Sequence, residues 1–553
     1  MRKRAMTPRA ISRRRLFQMG ATAAATASLT SVPSTALAKE RQFLDPGPDD
    51  LIEVTIAELQ ARMATGRLSA LELVKQYRAR IEAIDRNGPK VNSVLQLNPD
   101  AEEIARALDE ERRKHGPRGP LHGIPLLIKD NIDTHDHMHT TAGSLALSGS
   151  TPPLDATVAR RLRDAGVVLL GKLNLSEWAN FRSTNSSSGW SGRGGQCLNP
   201  YALDRSPCGS SSGSGAAVAA NLCAAALGTE TDGSILCPSG INMVVGIKPT
   251  LGLTSRAGVI PIAHSQDTVG PFGRTVADAA TVLGAMVGVD ARDPATSASA
   301  GKFFTDYRQF LDPHGLKGAR IGVIRQVFAG FQDKVDIIYN QAIAAMEKAG
   351  AIIVDPADLP DAQEISASPD ELTVLLFEFK QDLNKYLAER GDPTIHTLQD
   401  LINFNNAHAA QELPFFGQEL FLQAQALDLN DPATIANYQK ALAHNRQLGR
   451  EQGIDAVLQK FHLDALVAPT NSVPWKIDLL DGDHDLGGSS TPTSLAGYPA
   501  INVPAGFSFG LPIGITFMGT AWSEPTLIKI ASGFEAVTKA RRPPRFIPAS
   551  TVI

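Results

Sequence analysis

The sequence predicts an α/β fold in which helices cover a mixed, twisted β-sheet. A helix-like segment is followed directly by a β-rich one at residues 155–170, and the same order returns at residues 335–354. Short apolar runs end near residues 129, 467 and 517, and such runs between polar or turn-forming residues are typical of buried strands. This alternation of helix and strand favours a sheet with helices packed against it.

The remaining elements follow in chain order. Apolar residues recur at helical spacing between Leu59 and Ile84, which predicts amphipathic helices. The run Gly123–Lys129 is too short for a helix and predicts a buried strand that delivers Lys129 at its end. Residues 361 to about 460 have a helical pattern with charges on one side, so we expect a helical insertion beside the sheet.

The first 38 residues have the pattern of an export signal. They carry seven basic side chains and no acidic one, and an Ala-rich apolar run follows. Residues 12–17 resemble the twin-arginine pattern, and residues 36–38 fit an AxA cleavage site. We therefore predict a signal over residues 1–38, a linker over 39–50, and a periplasmic or secreted bacterial protein. The alternative is a basic tail that binds nucleic acid.

Charge and hydropathy indicate the classes of partner. Removal of the signal with its seven positive charges would change the formal charge from −4 to −11. An acidic chain without a basic stripe argues against nucleic acid as a partner. No later stretch approaches the roughly 18 continuous apolar residues of a membrane span. We expect no membrane association after signal removal, and a monomer is compatible with the sequence.

The four cysteines lie close together in the sequence, at positions 197, 208, 223 and 237. They form no CxxC pair, which argues against a zinc site. We interpret them as core residues, and one disulfide stays open as an alternative for an exported chain.

Three alternate histidines, His135, His137 and His139, could share one face of an extended segment and bind a metal ion. The competing interpretation is a solvated loop at the mouth of a site. We favour the loop, and we predict no metal.

Ser and Gly crowd into two tight loops between residues 183 and 240, separated by a small-residue helix expected over Ser214–Ala226. Such loops let a ligand approach the backbone, so we interpret them as a site rather than a flexible linker. A phosphate-binding P-loop would need a lysine after Gly213, and none follows. A GxSxG elbow would make Ser211 a nucleophile, but the segment before it is polar and does not resemble a strand.

Three motifs occur in a fixed order: GIPLLIKD at 123–130, CGSSSGS at 208–214 and GTETDGSILCP at 228–238. With these motifs the sequence resembles the amidase signature family from about residue 50 to 545. The resemblance implies an amidase domain over 51–545 with a tail at 546–553. Residues 517–522 and His122 are most similar to the bacterial peptide amidases of this family, which remove the C-terminal amide of peptides.

The resemblance also implies the roles of individual residues. Ser234 would be the nucleophile, Ser210 the bridging serine and Lys129 the base. The backbone N–H groups of Thr231, Asp232, Gly233 and Ser234 would bind the oxyanion, and the Gly209–Ser210 peptide bond would be cis. The substrate would be a peptide amide or another small amide, and no cofactor is implied. The alternatives are a general aliphatic or aryl amidase, or an amidotransferase A-type subunit that acts on aminoacyl-tRNA.

The implied chemistry requires a neutral Lys129, because only a neutral amine can accept a proton. Burial without an adjacent carboxylate would lower its pKa, so we expect the side chain of Asp130 to point away. Two residues depart from the family pattern: Asp232 replaces a glycine, and Leu236 replaces an arginine. Asp232 could repel acidic substrates or bind a substrate N–H, and the sequence leaves both roles open.

Overall fold

In the computed structural model, residues 49–549 are described, so the predicted signal and most of the predicted linker lie outside the described residues. The core is an 11-stranded sheet in which the strands follow the order β1-β3-β2-β4-β6-β5-β10-β11-β9-β7-β8. The strands are β1 Val94–Leu97, β2 Pro125–Lys129, β3 Val168–Leu173, β4 Ala225–Glu230, β5 Val245–Lys248, β6 Thr268–Gly273, β7 Arg320–Val323, β8 Ile352–Val354, β9 Ala465–Pro469, β10 Ala500–Ser508 and β11 Leu511–Met518.

Helices pack around this sheet and form the insertion. The α-helices are α1 Ile56–Ala64, α2 Ala70–Arg80, α3 Ala101–His115, α4 Thr157–Asp164, α5 Ser212–Ala219, α6 Leu236–Ile241, α7 Val276–Met286, α8 Asp333–Lys348, α9 Ala362–Ala367, α10 Asp370–Arg390, α11 Leu398–Ala407, α12 Ala409–Glu412, α13 Glu419–Ala426, α14 Pro432–Gly449, α15 Asp455–Phe461, α16 Thr491–Ala496 and α17 Glu524–Thr538. Parallel and antiparallel strand pairs both occur, so the predicted mixed α/β fold is confirmed.

Strand β2 lies in the interior of the sheet and positions the site. It pairs in parallel with β3 and β4, with Lys129 opposite Leu173 and Leu126 opposite Ala225. All five residues of β2 are buried, as its continuous apolar sequence predicts for a strand covered on both faces. The chain therefore emerges from the carboxyl ends of β2 and β4 at the same edge of the sheet.

The small-residue helix is shorter than the sequence predicts. The predicted range is Ser214–Ala226, but α5 covers Ser212–Ala219 and residues from Ala225 onwards form strand β4. Asn221 adopts a left-handed φ of +57°, which stops the helix. The alanines that follow are helix formers, but pairing with two neighbouring strands overrides that propensity.

The predicted helical insertion is confirmed by helices α9 to α15. Part of it packs through Phe379, Leu383 and Phe421 onto Trp178 and Phe181, which directly precede the Ser/Gly-rich region. The insertion is thus joined to the side of the sheet that carries the candidate site.

No helix within residues 49–549 combines the length and the apolar character needed to cross a membrane.

In the predicted tail, the N–H of Phe546 donates to the carbonyl of Pro200, and Ile547 forms a bridge with Ala202. The chain therefore still contacts the body beyond residue 545.

Candidate active site

Lys129 stands at the end of β2 with its side chain fully buried. Its Nζ donates to Ser210 Oγ at 2.7 Å and to Thr229 Oγ1 at 2.8 Å, and Asn131 donates to the same threonine oxygen at 3.0 Å. Burial lowers the pKa of Lys129 to about 7, because the charged form loses its hydration. A large fraction of this lysine is therefore neutral near pH 7.

The neighbours of Nζ suit a neutral amine that acts as a base. A neutral amine has two N–H groups and one lone pair. The hydroxyl and the carbonyl of Thr229, at 2.8 and 3.4 Å, can accept the two N–H groups. The lone pair is then available for the proton of Ser210.

The surroundings of Lys129 correct one premise of the sequence analysis. Asp130 does point away, since its carboxylate accepts a hydrogen bond from Thr141 and faces Arg193 at 3.3 Å. However, the negative charges of Asp267 and Glu230 are near enough to raise the pKa of Lys129, in opposition to burial. The expectation of a site without an influential carboxylate is therefore wrong. Glu230 lies inside the GTETDGSILCP motif and Asp267 directly precedes β6, so neither residue is next to Lys129 in the sequence.

Ser210 lies in the loop before α5, and it is fully buried. The Gly209–Ser210 peptide bond is cis, as the resemblance implies. The next residue, Ser211, joins this loop to the segment that carries Ser234. Its N–H donates to Ser234 O at 3.3 Å, and its Oγ bonds to the backbone of Thr229 at 3.0 and 3.2 Å. Ser211 therefore has a structural role, in contrast to the nucleophile of a GxSxG elbow.

Ser234 follows β4 in a tight turn and is nearly buried. Gly233 has a φ of +77°, a conformation that favours glycine. Within the described part of the chain, the N–H groups of Thr231, Asp232, Gly233 and Ser234 donate to no protein acceptor. Four consecutive free donors next to a serine are the arrangement that can bind a developing oxyanion.

Glu230, at the end of β4, holds the other side of this turn. Its Oε2 accepts the N–H groups of Ile235 and Leu236 at 2.6 and 2.8 Å. Burial raises the pKa of this carboxyl group. Glu230 therefore fixes the backbone directly after Ser234.

Asp232 connects the same turn to the start of α16. Its two carboxylate oxygens accept the hydroxyl groups of Ser490, Thr491 and Ser494 at 2.5, 2.7 and 3.2 Å. Glu371 of the insertion stands nearby, and burial together with the charge of Asp232 raises its pKa to about 8. Asp232 thus has a bonding role that the sequence did not indicate.

The cysteines differ from their interpretation as unpaired core residues. Cys208 and Cys237 form a disulfide, whereas Cys197 and Cys223 are free and buried. The interpretation is wrong for the first pair because the loop before Ser210 and the helix after Ser234 meet in space, with a Cα–Cα distance of 6.0 Å.

The alternate histidines have separate partners. His135 bonds to Pro152 O, His137 to Asp100 and His139 to Ser150 O. Between residues 49 and 549, the one group of side chains that could together ligate a metal ion is His264, Glu378 and Asp382. There both imidazole nitrogens face carboxylates, which describes an ion-paired histidine.

Comparison with known proteins identifies the family. The family model described as Amidase matches residues 72–528. The chain belongs to the amidase signature family. A probable amidase of Arabidopsis thaliana is 43% identical over 504 residues, which cover 90% of this chain and 92% of the relative. The A-type subunit of the glutamyl-tRNA(Gln) amidotransferase of Moorella thermoacetica is 36% identical, with 89% and 98% covered.

Solved structures of this amidase family are also similar. The peptide amidase of Stenotrophomonas maltophilia is 51% identical with a TM-score of 0.85, covering 90% of this chain and 100% of that one. A peptide amidase in complex with the competitive inhibitor chymostatin is 52% identical, with a TM-score of 0.86 and the same coverage. The predicted family is confirmed, and the chain is an amide-hydrolysing enzyme.

Three residues of the site were not assigned a role from the sequence: Thr229, Glu230 and Asp267. Thr229 and Glu230 lie inside the quoted motif, so their position was visible although their bonds were not. Asp267 accepts the hydroxyl of Thr231 at 2.6 Å from a distant loop. No local signal marks Asp267, because its role depends on a contact across the fold.

Proposed function

We propose that this enzyme hydrolyses the C-terminal amide of peptides and releases ammonia through an acyl-enzyme on Ser234. The observation that carries the proposal is the 2.7 Å contact between Ser210 Oγ and the buried Nζ of Lys129. A serine hydroxyl is a weak nucleophile until a base takes its proton, and this contact supplies a base in reach of one serine.

The reaction proceeds in two halves. Ser234 Oγ attacks the amide carbon while its proton passes to Ser210, and Ser210 passes its own proton to the neutral amine of Lys129. The C–N bond then breaks, and a proton returns through Ser210 to the leaving nitrogen, which departs as ammonia. A water molecule attacks the ester on Ser234 by the same proton route and releases the peptide acid.

The free N–H groups of residues 231–234 stabilise the oxyanion of each tetrahedral intermediate. Each such donor contributes roughly 3 kcal/mol to the transition state. Glu230 and the disulfide-linked helix after Ser234 hold these donors in place before the substrate arrives.

Two observations support a peptide amide as the substrate. The solved peptide amidases share about half of their residues with this chain over their full length. In addition, the carboxylate of Asp232 belongs to the turn at 231–234 and disfavours a negative charge on the substrate. A C-terminal amide lacks the charge that a free C-terminal carboxylate carries.

The test is ammonia release from a short peptide amide, compared with the matching internal peptide bond and with a small aliphatic amide. We expect release from the peptide amide at a kcat/KM at least about tenfold above that of the aliphatic amide. The Ser234→Ala variant should be inactive, whereas Ser214→Ala, which alters a buried serine of α5, should retain activity. Release from the aliphatic amide alone would refute the peptide assignment, and full activity of Ser234→Ala would refute the acyl-enzyme.

We also propose that residues 1–38 direct export by the twin-arginine route. The Cys208–Cys237 disulfide supports this, because disulfides persist in oxidising compartments and are rare in the cytosol. Residues 1–38 fused to a folded reporter should carry the reporter out of the bacterial cytoplasm. Replacement of Arg13 and Arg14 by lysine should keep the reporter in the cytoplasm. Export that is unaffected by this change would contradict the assignment.

A further inference from the structure

The disulfide lies next to both serines of the proposed relay. Cys208 is two residues before Ser210, and Cys237 is three residues after Ser234. We infer that the Cys208–Cys237 disulfide positions Ser210 against Ser234, so that full catalytic rate requires the oxidised pair.

The bridge complements the hydrogen bond that follows Ser210. After Ser210, the N–H of Ser211 is bonded to Ser234 O at 3.3 Å. Before Ser210, the disulfide is the covalent connection to the same segment. With both connections present, the loop is held on either side of Ser210. With the disulfide removed, the loop can pivot about Ser211 and move the Ser210 hydroxyl relative to Ser234.

Both ends of the bridge are themselves fixed. The N–H of Cys237 donates to Gly233 O at 2.8 Å, which ties the bridge to the residue directly before Ser234. The N–H of Cys208 donates to Ser206 Oγ at 3.1 Å. Both cysteines are buried and pack with Ile241 and Trp475 in a small apolar cluster. A displacement at one end is therefore transmitted to the other.

The chain provides a matched control, because Cys197 and Cys223 are also buried but unpaired. The test compares the double variant Cys208→Ala/Cys237→Ala with Cys197→Ala/Cys223→Ala. This inference rests on the proposed relay through Ser210, so two rates are measured. One is kcat for a peptide amide, and the other is covalent labelling of Ser234 by a fluorophosphonate, which needs only an activated serine.

We expect kcat and the labelling rate of the Cys208/Cys237 variant to fall about 10- to 100-fold, because displacement of a reacting group by about 1 Å has effects of this size. KM should change little, since the bridge does not enclose the substrate. The acid limb of the pH profile should stay in place because Lys129 remains buried. The Cys197/Cys223 variant should match the wild type in kcat, in KM, in the labelling rate and in the position of the acid limb.

A kcat and a labelling rate within about twofold of the wild type, alongside a lower melting temperature, would overturn the inference and leave the bridge a role in stability alone. Failure of the wild type to hydrolyse peptide amides while the labelling rates still differ would instead refute the proposed substrate.

A second measurement covers the case in which the double variant does not fold. The folded wild type is treated with dithiothreitol, which donates two electrons and two protons to the disulfide and closes to its own cyclic disulfide. Activity should fall as thiols appear and recover on reoxidation. Complete reduction, verified by counting thiols, with unchanged kcat would also overturn the inference.

Discussion

Lys129 and Lys172 are two buried lysines on adjacent parallel strands, and their surroundings differ. Burial lowers the pKa of Lys129 to about 7 and that of Lys172 to about 8. Lys129 Nζ faces the hydroxyls of Ser210 and Thr229. Lys172 Nζ faces the carbonyl of Ile132 at 2.5 Å and the hydroxyl of Thr140 at 2.7 Å.

The difference shows that burial alone does not make a lysine a base. Three aspartates, Asp130, Asp133 and Asp136, act on Lys172 and favour its charged form. The carbonyl of Ile132 has no proton to give, and the hydroxyl of Thr140 donates its proton to that same carbonyl at 3.3 Å. Lys129 instead contacts a serine that can pass on a proton and that lies in the loop bonded to Ser234. The partner of the amine, rather than its burial, therefore distinguishes the two roles.

The largest effect should come from replacing each lysine by methionine. Lys129→Met removes the base, so kcat/KM should fall about 10³-fold or more. Lys172 is also buried but lies outside the proposed relay. Lys172→Met should therefore retain kcat/KM within about threefold. Steady-state kinetics on variants with native circular dichroism spectra make the comparison. Equal losses of activity in the two variants would contradict the assignment of Lys129, and not Lys172, as the base.

The pH dependence should be the next largest effect. The base must be neutral, so activity is complete above the pKa of Lys129, about 7, and falls as the pH decreases through that value. Well below it, kcat/KM should decrease about tenfold per pH unit. A pH–rate profile measured between about pH 5 and 9, on wild-type enzyme that is stable over that range, checks this. A profile that stays flat on the acid side of the pKa of Lys129 would contradict a lysine base.

A smaller effect should come from Asp267→Asn. The charge of Asp267 raises the pKa of Lys129, and asparagine keeps a similar shape without the charge. The variant should therefore lower the pKa of Lys129 and move the acid limb of the pH–rate profile to lower pH. Asp312→Asn, on the half-exposed surface, serves as the control and should leave the limb in place. A shift to higher pH in Asp267→Asn would contradict the sign of this interaction.

The smallest effect on activity, and the sharpest on stability, belongs to Lys172→Met. Methionine leaves the carbonyl of Ile132 and the hydroxyl of Thr140 without their buried donor. The free energy of unfolding should fall by about 1–3 kcal/mol, because the lysine donor is lost and the carbonyl of Ile132 keeps only the longer bond from the hydroxyl of Thr140, at 3.3 Å. Urea denaturation measures this change. An unchanged free energy of unfolding would show that the contacts of Lys172 are not needed for stability.

The sequence predicts the fold class and the residues of the proposed triad, but it does not predict several contacts that surround them. Strand β2 with Lys129 at its end follows from a continuous apolar run, and the three motifs single out Ser210 and Ser234. The end of α5 was missed because alanines that favour a helix in isolation pair as strand β4 inside the sheet. The disulfide and the influence of Asp267 were missed because both depend on contacts between segments that are distant in the sequence.

The most direct test of the account is to trap the acyl-enzyme. The enzyme is mixed with a peptide amide, quenched in acid within one turnover, digested and analysed by mass spectrometry. We predict an adduct with the mass of the acyl peptide on Ser234, absent in Ser234→Ala and greatly slowed in Lys129→Met. An adduct on Ser211 or on any other residue, formed at the rate of turnover, would contradict the account.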